Sequence, residues 1–151
     1  MPTHFQGAPE TARALDTFIK LTRATESLLT RLSRRGTMHP LSSSQFAVLE
    51  ALYHLGPLTQ GQVSAKLLKS TGNLTLVVDN LEKQGLVCRT RGSQDRRVVT
   101  VCLTQAGHTL IEQLFPVHAA AICDELNFLS VSEQEQLAQI CAKLGKRRSE
   151  V

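Results

Sequence analysis

The chain is short of the features that mark membrane, secreted and catalytic proteins. It has no run of about eighteen apolar residues, so no transmembrane span and no membrane partner are expected. Its first residues show no basic region followed by an apolar stretch, so no secretory leader is expected and a cytoplasmic location follows. Cys88, Cys102, Cys123 and Cys141 are scattered, with no C-x-x-C pair and no Cys/His cluster at metal spacing. Each lies next to or among apolar residues and reads as a packed thiol. The five histidines are isolated, and neither a Ser/His/Asp set nor a glycine-rich phosphate loop is present. An enzyme is therefore not expected, and neither catalytic residues nor a metal or other cofactor are assigned. Repeats and low-complexity segments are missing too.

What is present fits one globular domain over residues 1–151, with 42% hydrophobic and 20% charged residues, enough to bury a core. The net charge of +4 is unevenly spread: residues 60–103 carry seven Lys/Arg against three Asp/Glu, and residues 104–151 carry −2. A basic stretch is an electrostatic footprint for nucleic acid, although a solvated surface has the same composition.

Residues 10–35 carry Leu15, Phe18, Leu29 and Leu32 at helical spacing, ending at Gly36. A second helix starts in "LSSSQF" and stops at Gly56-Pro57, with Phe46, Leu49, Leu52 and Tyr53 inward. Thr59 caps a short helix over 60–68, facing inward through Val63, Leu67 and Leu68. A second short helix over 72–84 buries Leu74, Val77, Val78 and Leu81, and Gly85 stops it. Two helices joined by so short a turn form a helix-turn-helix. The period then changes: residues 87–91 and 98–103 are rich in β-branched types around a Gly/Ser/Gln/Asp tip, a β-hairpin. Thr104 caps a long helix through about Leu129, which Pro116 should kink, and Ser132 caps a last helix. The fold class expected is mainly α with a small β-hairpin: a winged helix-turn-helix over 41–103, flanked by long helices over 10–40 and 104–151.

The outer face of the second short helix holds Gly72, Asn73, Leu76, Asp79, Asn80 and Lys83. Its N-terminal turn offers Lys69, Ser70 and Thr71, with free N–H groups at the positive end of the helix dipole, as a recognition helix does. Ser70 and Thr71 suit phosphates or base edges, Asn73 suits adenine, Thr75 lies alongside, and Leu76 suits a thymine methyl. A plain capped helix would use similar residues. Asp79 is expected to neutralise a nearby cation. Arg89 and Arg91 share one face of their strand, and the tip adds Arg96 and Arg97, groups that suit a DNA backbone and a narrow minor groove. Asp95 would hold an arginine fork in place. Beside a helix-turn-helix, such a tip reads as a wing.

"LEKQGLV" (81–87), "DRR" (95–97, a D-x-R pattern) and "VCLTQAG" (101–107) follow, in order and at its spacing, the central pattern of the MarR family of multiple-antibiotic-resistance-type regulators. The chain resembles that family from about Leu15 to Leu144, and the stretch from Ser43 to Val87 is similar to members with phenolic or quinone-like effectors. The resemblance implies a homodimer joined by the terminal helices, bound to palindromic double-stranded operator DNA, repressing transcription until a small aromatic effector binds. It places the helix near Thr71 in the major groove and Arg97 in the minor groove, with Asp95 orienting it. Arg23, Tyr53 and His54 are the effector-pocket candidates. A subset of the family senses oxidants through a cysteine in the N-terminal third, whereas the first cysteine here is Cys88. Cys88 and Cys102 could face each other across the hairpin, but neighbouring thiols are the expectation in a reducing cytoplasm. A redox-sensing repressor on this scaffold and a winged-helix module that binds only proteins are the alternatives.

Overall fold

The computed structural model describes residues 4–67 and 71–146. In chain order they form α1 (Pro9–Arg34), α2 (Ser43–Leu55), β1 (Leu58–Thr59), α3 (Gln60–Leu67), α4 (Thr71–Lys83), β2 (Val87–Arg91), β3 (Val99–Leu103), α5 (Gln105–Leu126) and α6 (Val131–Gly145). The chain divides into two compact units, one from the terminal segments (Met1–Arg35 with Ala120–Val151) and one central (Gly36–Ala119), so α5 starts in the central unit and ends in the other.

In the central unit, Ser42 starts α2 through a reciprocal pair: its Oγ accepts from the Gln45 N–H at 3.2 Å while its own N–H donates to Gln45 Oε1 at 2.9 Å. Such a box satisfies two of the donors a helix start leaves free. Gly56, at φ 76°, ends the helix in a region that favours glycine. Thr59 repeats the box for α3 with Gln62, at 3.2 and 2.8 Å. It also pairs with Thr100, because Leu58 and Thr59 form a third strand on the hairpin. The antiparallel sheet has the order β1-β3-β2. Two residues carry no periodicity, so this strand leaves no sequence signal.

The buried stripe of α4 is as expected: Leu74, Val78 and Leu81 have no exposed surface, and Val77 is half-buried. They close a core with Val48 and Leu49 of α2, Val63 of α3, Val87 and Val101 of the sheet, and Ile111 of α5. Each such side chain is worth roughly 1.5–3 kcal/mol when taken from water. Leu68, expected in this core, lies outside the described residues.

Thr104 fastens the sheet to the two helices beside it. Its Oγ1 donates to the Gly85 carbonyl at 2.6 Å and accepts from the Gly107 N–H at 3.1 Å, capping α5, while its N–H donates to the Leu86 carbonyl at 3.1 Å. α5 continues through Pro116, whose missing N–H leaves the Glu112 carbonyl without its usual donor, and stops at Leu126.

In the terminal unit, α6 begins from Ser130, two residues before the expected Ser132. Both serines precede a glutamate by three residues. Ser130 and Glu133 make the box, at 3.3 and 2.8 Å. Gln134 decides between them, because its Nε2 donates to the Leu126 and Leu129 carbonyls at 3.1 Å each and ties the turn after α5 to the first turn of α6. The last turn of α1 is linked to the end of α5: Glu125 takes Arg31 at 2.5 Å and Arg35 at 2.7 Å, and Asp124 takes Arg35 at 3.1 Å. These cations hold the Glu125 carboxyl below its ordinary pKa, mainly through the hydrogen bonds from Arg31 and Arg35. Of the stripe expected on α1, Leu32 is buried, but Phe18 and Leu29 are exposed. No single described helix is long and apolar enough to cross a membrane.

Candidate nucleic-acid interface

With Leu74, Val78 and Leu81 inward, α4 turns Gly72, Asn73, Leu76 and Asn80 to solvent, and Leu76 is 63% exposed. Thr75 sits at the edge of this face, half-buried, and its hydroxyl accepts from Gln60 Nε2 of α3 at 2.8 Å. That bond joins the two helices. The backbone of Thr71 opens α4; Lys69 and Ser70 lie outside the described residues.

The hairpin sorts its arginines into two kinds. Arg89 shares the inner face of the sheet with Val87 and Val101, because its register partner is Val101. It reaches back to α4, pairing with Asp79 and Glu82 at 2.6 Å each. Burial alone would lower its pKa, but the Asp79 and Glu82 carboxylates outweigh that and hold the charge more firmly than usual. Asp79 thus finds the cation it was expected to neutralise, and Arg89 is placed as a clamp between wing and helix. Arg91, Arg96 and Arg97 are exposed and, among the described residues, make no ion pair.

At the tip, the Gly92 N–H donates to the Val98 carbonyl at 3.0 Å and the Val98 N–H to the Asp95 carbonyl at 3.2 Å. The Asp95 carboxylate accepts the backbone N–H of Arg97 at 2.9 Å. Asp95 therefore fixes the main chain of Arg97 through a local side-chain turn and leaves the guanidinium unengaged. Orientation through the backbone replaces the fork-to-carboxylate contact expected from the sequence.

Two expectations about cysteine are corrected here. Register sets Cys88 directly opposite Cys102, with Cα atoms 5.4 Å apart, and the two are joined as a disulfide rather than packed as thiols. Cys123 and Cys141, read as buried, are exposed.

Of the effector candidates, Tyr53 and His54 come together with two residues that the sequence did not mark as effector candidates, His108 and Phe115. Tyr53 lies 5.0 Å from His54 and 5.3 Å from His108 between ring centroids, and His54 lies 4.6 Å from Phe115. His108 and Phe115 are seven apart on α5, two helical turns, and that spacing was the available signal. Arg23 is exposed on α1, in the other unit.

A helix-turn-helix whose second helix opens outward beside a basic β-wing defines the winged-helix class of DNA-binding transcriptional regulators. A family model described as "MarR family" matches residues 41–99. The chain is 36% identical over 135 residues to the HTH-type transcriptional regulator MhqR of Bacillus subtilis (strain 168), covering 89% of this chain and 93% of that one. Among solved structures, a mutant of E. coli MarR complexed with operator DNA superposes with a TM-score of 0.73 at 26% identity, covering 85% of this chain and 95% of that one. NadR in complex with 4-hydroxyphenylacetate gives a TM-score of 0.73 at 25% identity, covering 98% and 100%. The chain belongs to the MarR family and is a transcriptional regulator of that type; as such it is not an enzyme.

Proposed function

We propose that this regulator is a homodimeric repressor that reads a palindromic operator, with α4 in the major groove and the wing along the adjacent minor groove. The observation that carries this is the division of the hairpin's arginines. One is consumed in bracing the wing against α4, and the tip's Arg96 and Arg97, with Arg91, stay exposed. Three cations held on a fixed hairpin suit phosphates and a narrow, strongly negative groove. Asn73 and Leu76 would face base edges, Thr75 and Thr71 would flank them, and Lys69 and Ser70 would precede them in the same turn. The DNA held by E. coli MarR supports the same use of this scaffold.

The terminal unit supports the dimer. Phe18 and Leu29 of α1, Phe128, and Val131, Ile140 and Leu144 of α6 are all more than half exposed. The same unit holds a groove of about 830 Å³ lined by Leu21, Leu28, Phe128, Leu129, Leu137 and others. So much apolar surface on one unit suits a second copy of the chain. The effector would be a small aromatic or phenolic compound engaging the Tyr53, His54, His108 and Phe115 rings, which supply edges for stacking and ring nitrogens for a hydroxyl or carboxylate. The aromatic acid bound to NadR supports that class. A cytoplasmic location fits a DNA-binding repressor.

Selection of duplexes from a random oligonucleotide pool tests this reading. The expected product is an inverted repeat with half-sites one helical turn apart. Recovery of no preferred sequence would leave a module that binds only proteins.

A further inference from the structure

We infer that Cys88 and Cys102 form a reversible dithiol–disulfide pair whose state sets the order of the wing. The strand register makes them opposed residues, so the bond can form without sliding either strand. Both are half-buried, on the sheet face away from Val87, Arg89 and Val101, where a small oxidant can reach them. The Cys102 sulfur also lies 3.4 Å from the Cys88 carbonyl oxygen, so on reduction the new S–H has an acceptor waiting. Both states are accommodated on one backbone.

The position of the pair gives it leverage. On the root side, Val87 pairs with Leu103 beside the Thr104 fastening; on the tip side three pairs, Arg89 with Val101, Thr90 with Thr100 and Arg91 with Val99, precede the tip. Closing the disulfide bounds the segment that carries Arg91, Arg96 and Arg97. Opening it leaves those pairs, the Arg89 clamp and the local hydrogen bonds of Gly92, Asp95, Arg97 and Val98 to hold the tip. In a reducing compartment such a pair is a switch and not a permanent staple.

A hydroperoxide is the oxidant class. One thiolate attacks the O–O bond, forming S–O and releasing an alcohol or water after protonation. The partner thiol then attacks the sulfenic sulfur, forming S–S while the S–O bond breaks and water leaves with the proton. The two sulfurs give up two electrons and the peroxide takes two. Two free thiols reverse the step by exchange, the first forming a mixed disulfide and the second releasing the protein thiol and leaving the pair as their own disulfide.

The effect on DNA rests on the repressor reading; the effect on the wing does not. Full-length protein is treated with hydrogen peroxide or kept in excess thiol, then alkylated, peptide-mapped and followed by hydrogen exchange. The oxidised chain should be lighter by two hydrogens, linked between Cys88 and Cys102, and slower to exchange at the amides of residues 91–98. Cys88→Ser and Cys102→Ser proteins should exchange alike in both conditions. On the selected duplex, reduction should weaken wild-type binding about three- to tenfold, because a disordered wing loses more entropy on docking. Alkylatable Cys88 and Cys102 after peroxide, or equal wing exchange in both states, overturns the inference. A linked, slowed wing with unchanged DNA affinity overturns its coupling to binding. Absence of DNA binding in both states counts against the repressor reading instead, while mass and exchange still decide the pair.

Discussion

At Gly107 the lack of a side chain is a packing requirement. A Cβ there would sit on the Leu86 carbonyl oxygen and 3.3 Å from Leu103 Cδ2. That carbonyl is occupied by the Thr104 N–H, so it cannot turn aside. Gly107→Ala should therefore destabilise the central unit by about 1–3 kcal/mol, the usual range for overpacking, read as a shift in the urea midpoint. Arg89 makes a different prediction. Arg89→Met keeps most of the stem and removes the charge, leaving Asp79 and Glu82 to repel each other and the wing without its brace. The stability change should be small, about 1 kcal/mol or less because both carboxylates stay open to solvent, but the amides of β2 should exchange measurably faster than those of α2. Equal exchange in both would mean that the wing is held by sheet pairing alone.

Among the elements, the link between α1 and the end of α5 centres on the Glu125 carboxylate, which takes both Arg31 and Arg35, while Asp124 adds one contact to Arg35. Because Glu125 has a depressed pKa in the folded chain, its contribution is fully present above the ordinary glutamate pKa and is lost as pH falls through the depressed value. Below about pH 4 the terminal unit should loosen before the central one, and Glu125→Gln should remove that difference in thermal melts followed across acid pH. The elements also show what a sequence makes legible. The stripe of α4 and the stops at Gly56 and Gly85 could be read directly, since periodicity and turn chemistry act within a few residues. Other features required contacts between distant residues. The strand of Leu58 and Thr59 exists only because β3 has an open edge. Ser130 prevails over Ser132 because Gln134 reaches carbonyls of the preceding helix. In the candidate site, the basic tip was legible as a wing, but the diversion of Arg89 to α4 was not, because a strand pattern gives the face and not what lies across from it. The disulfide was hidden for a related reason: scattered cysteines acquire a partner only once the register is known.

For the whole molecule, the proposed dimer rests on the exposed apolar set of the terminal unit. Ile140→Lys places a charge on that surface and should shift sedimentation from dimer to monomer while circular dichroism keeps the helical signal. A dimer that persists at micromolar concentration would put the interface elsewhere. The central claim is that the tip arginines bind DNA on a scaffold fixed by Asp95 and Arg89, and Arg97 tests it most directly because its side chain makes no contact that the fold uses. The decisive measurement is a titration of the selected duplex with wild-type and Arg97→Ala proteins over a range of salt. The account predicts that wild-type affinity falls steeply with salt. It also predicts that Arg97→Ala, still a folded dimer, loses about tenfold or more in specific affinity. Undiminished binding by that dimer would contradict it.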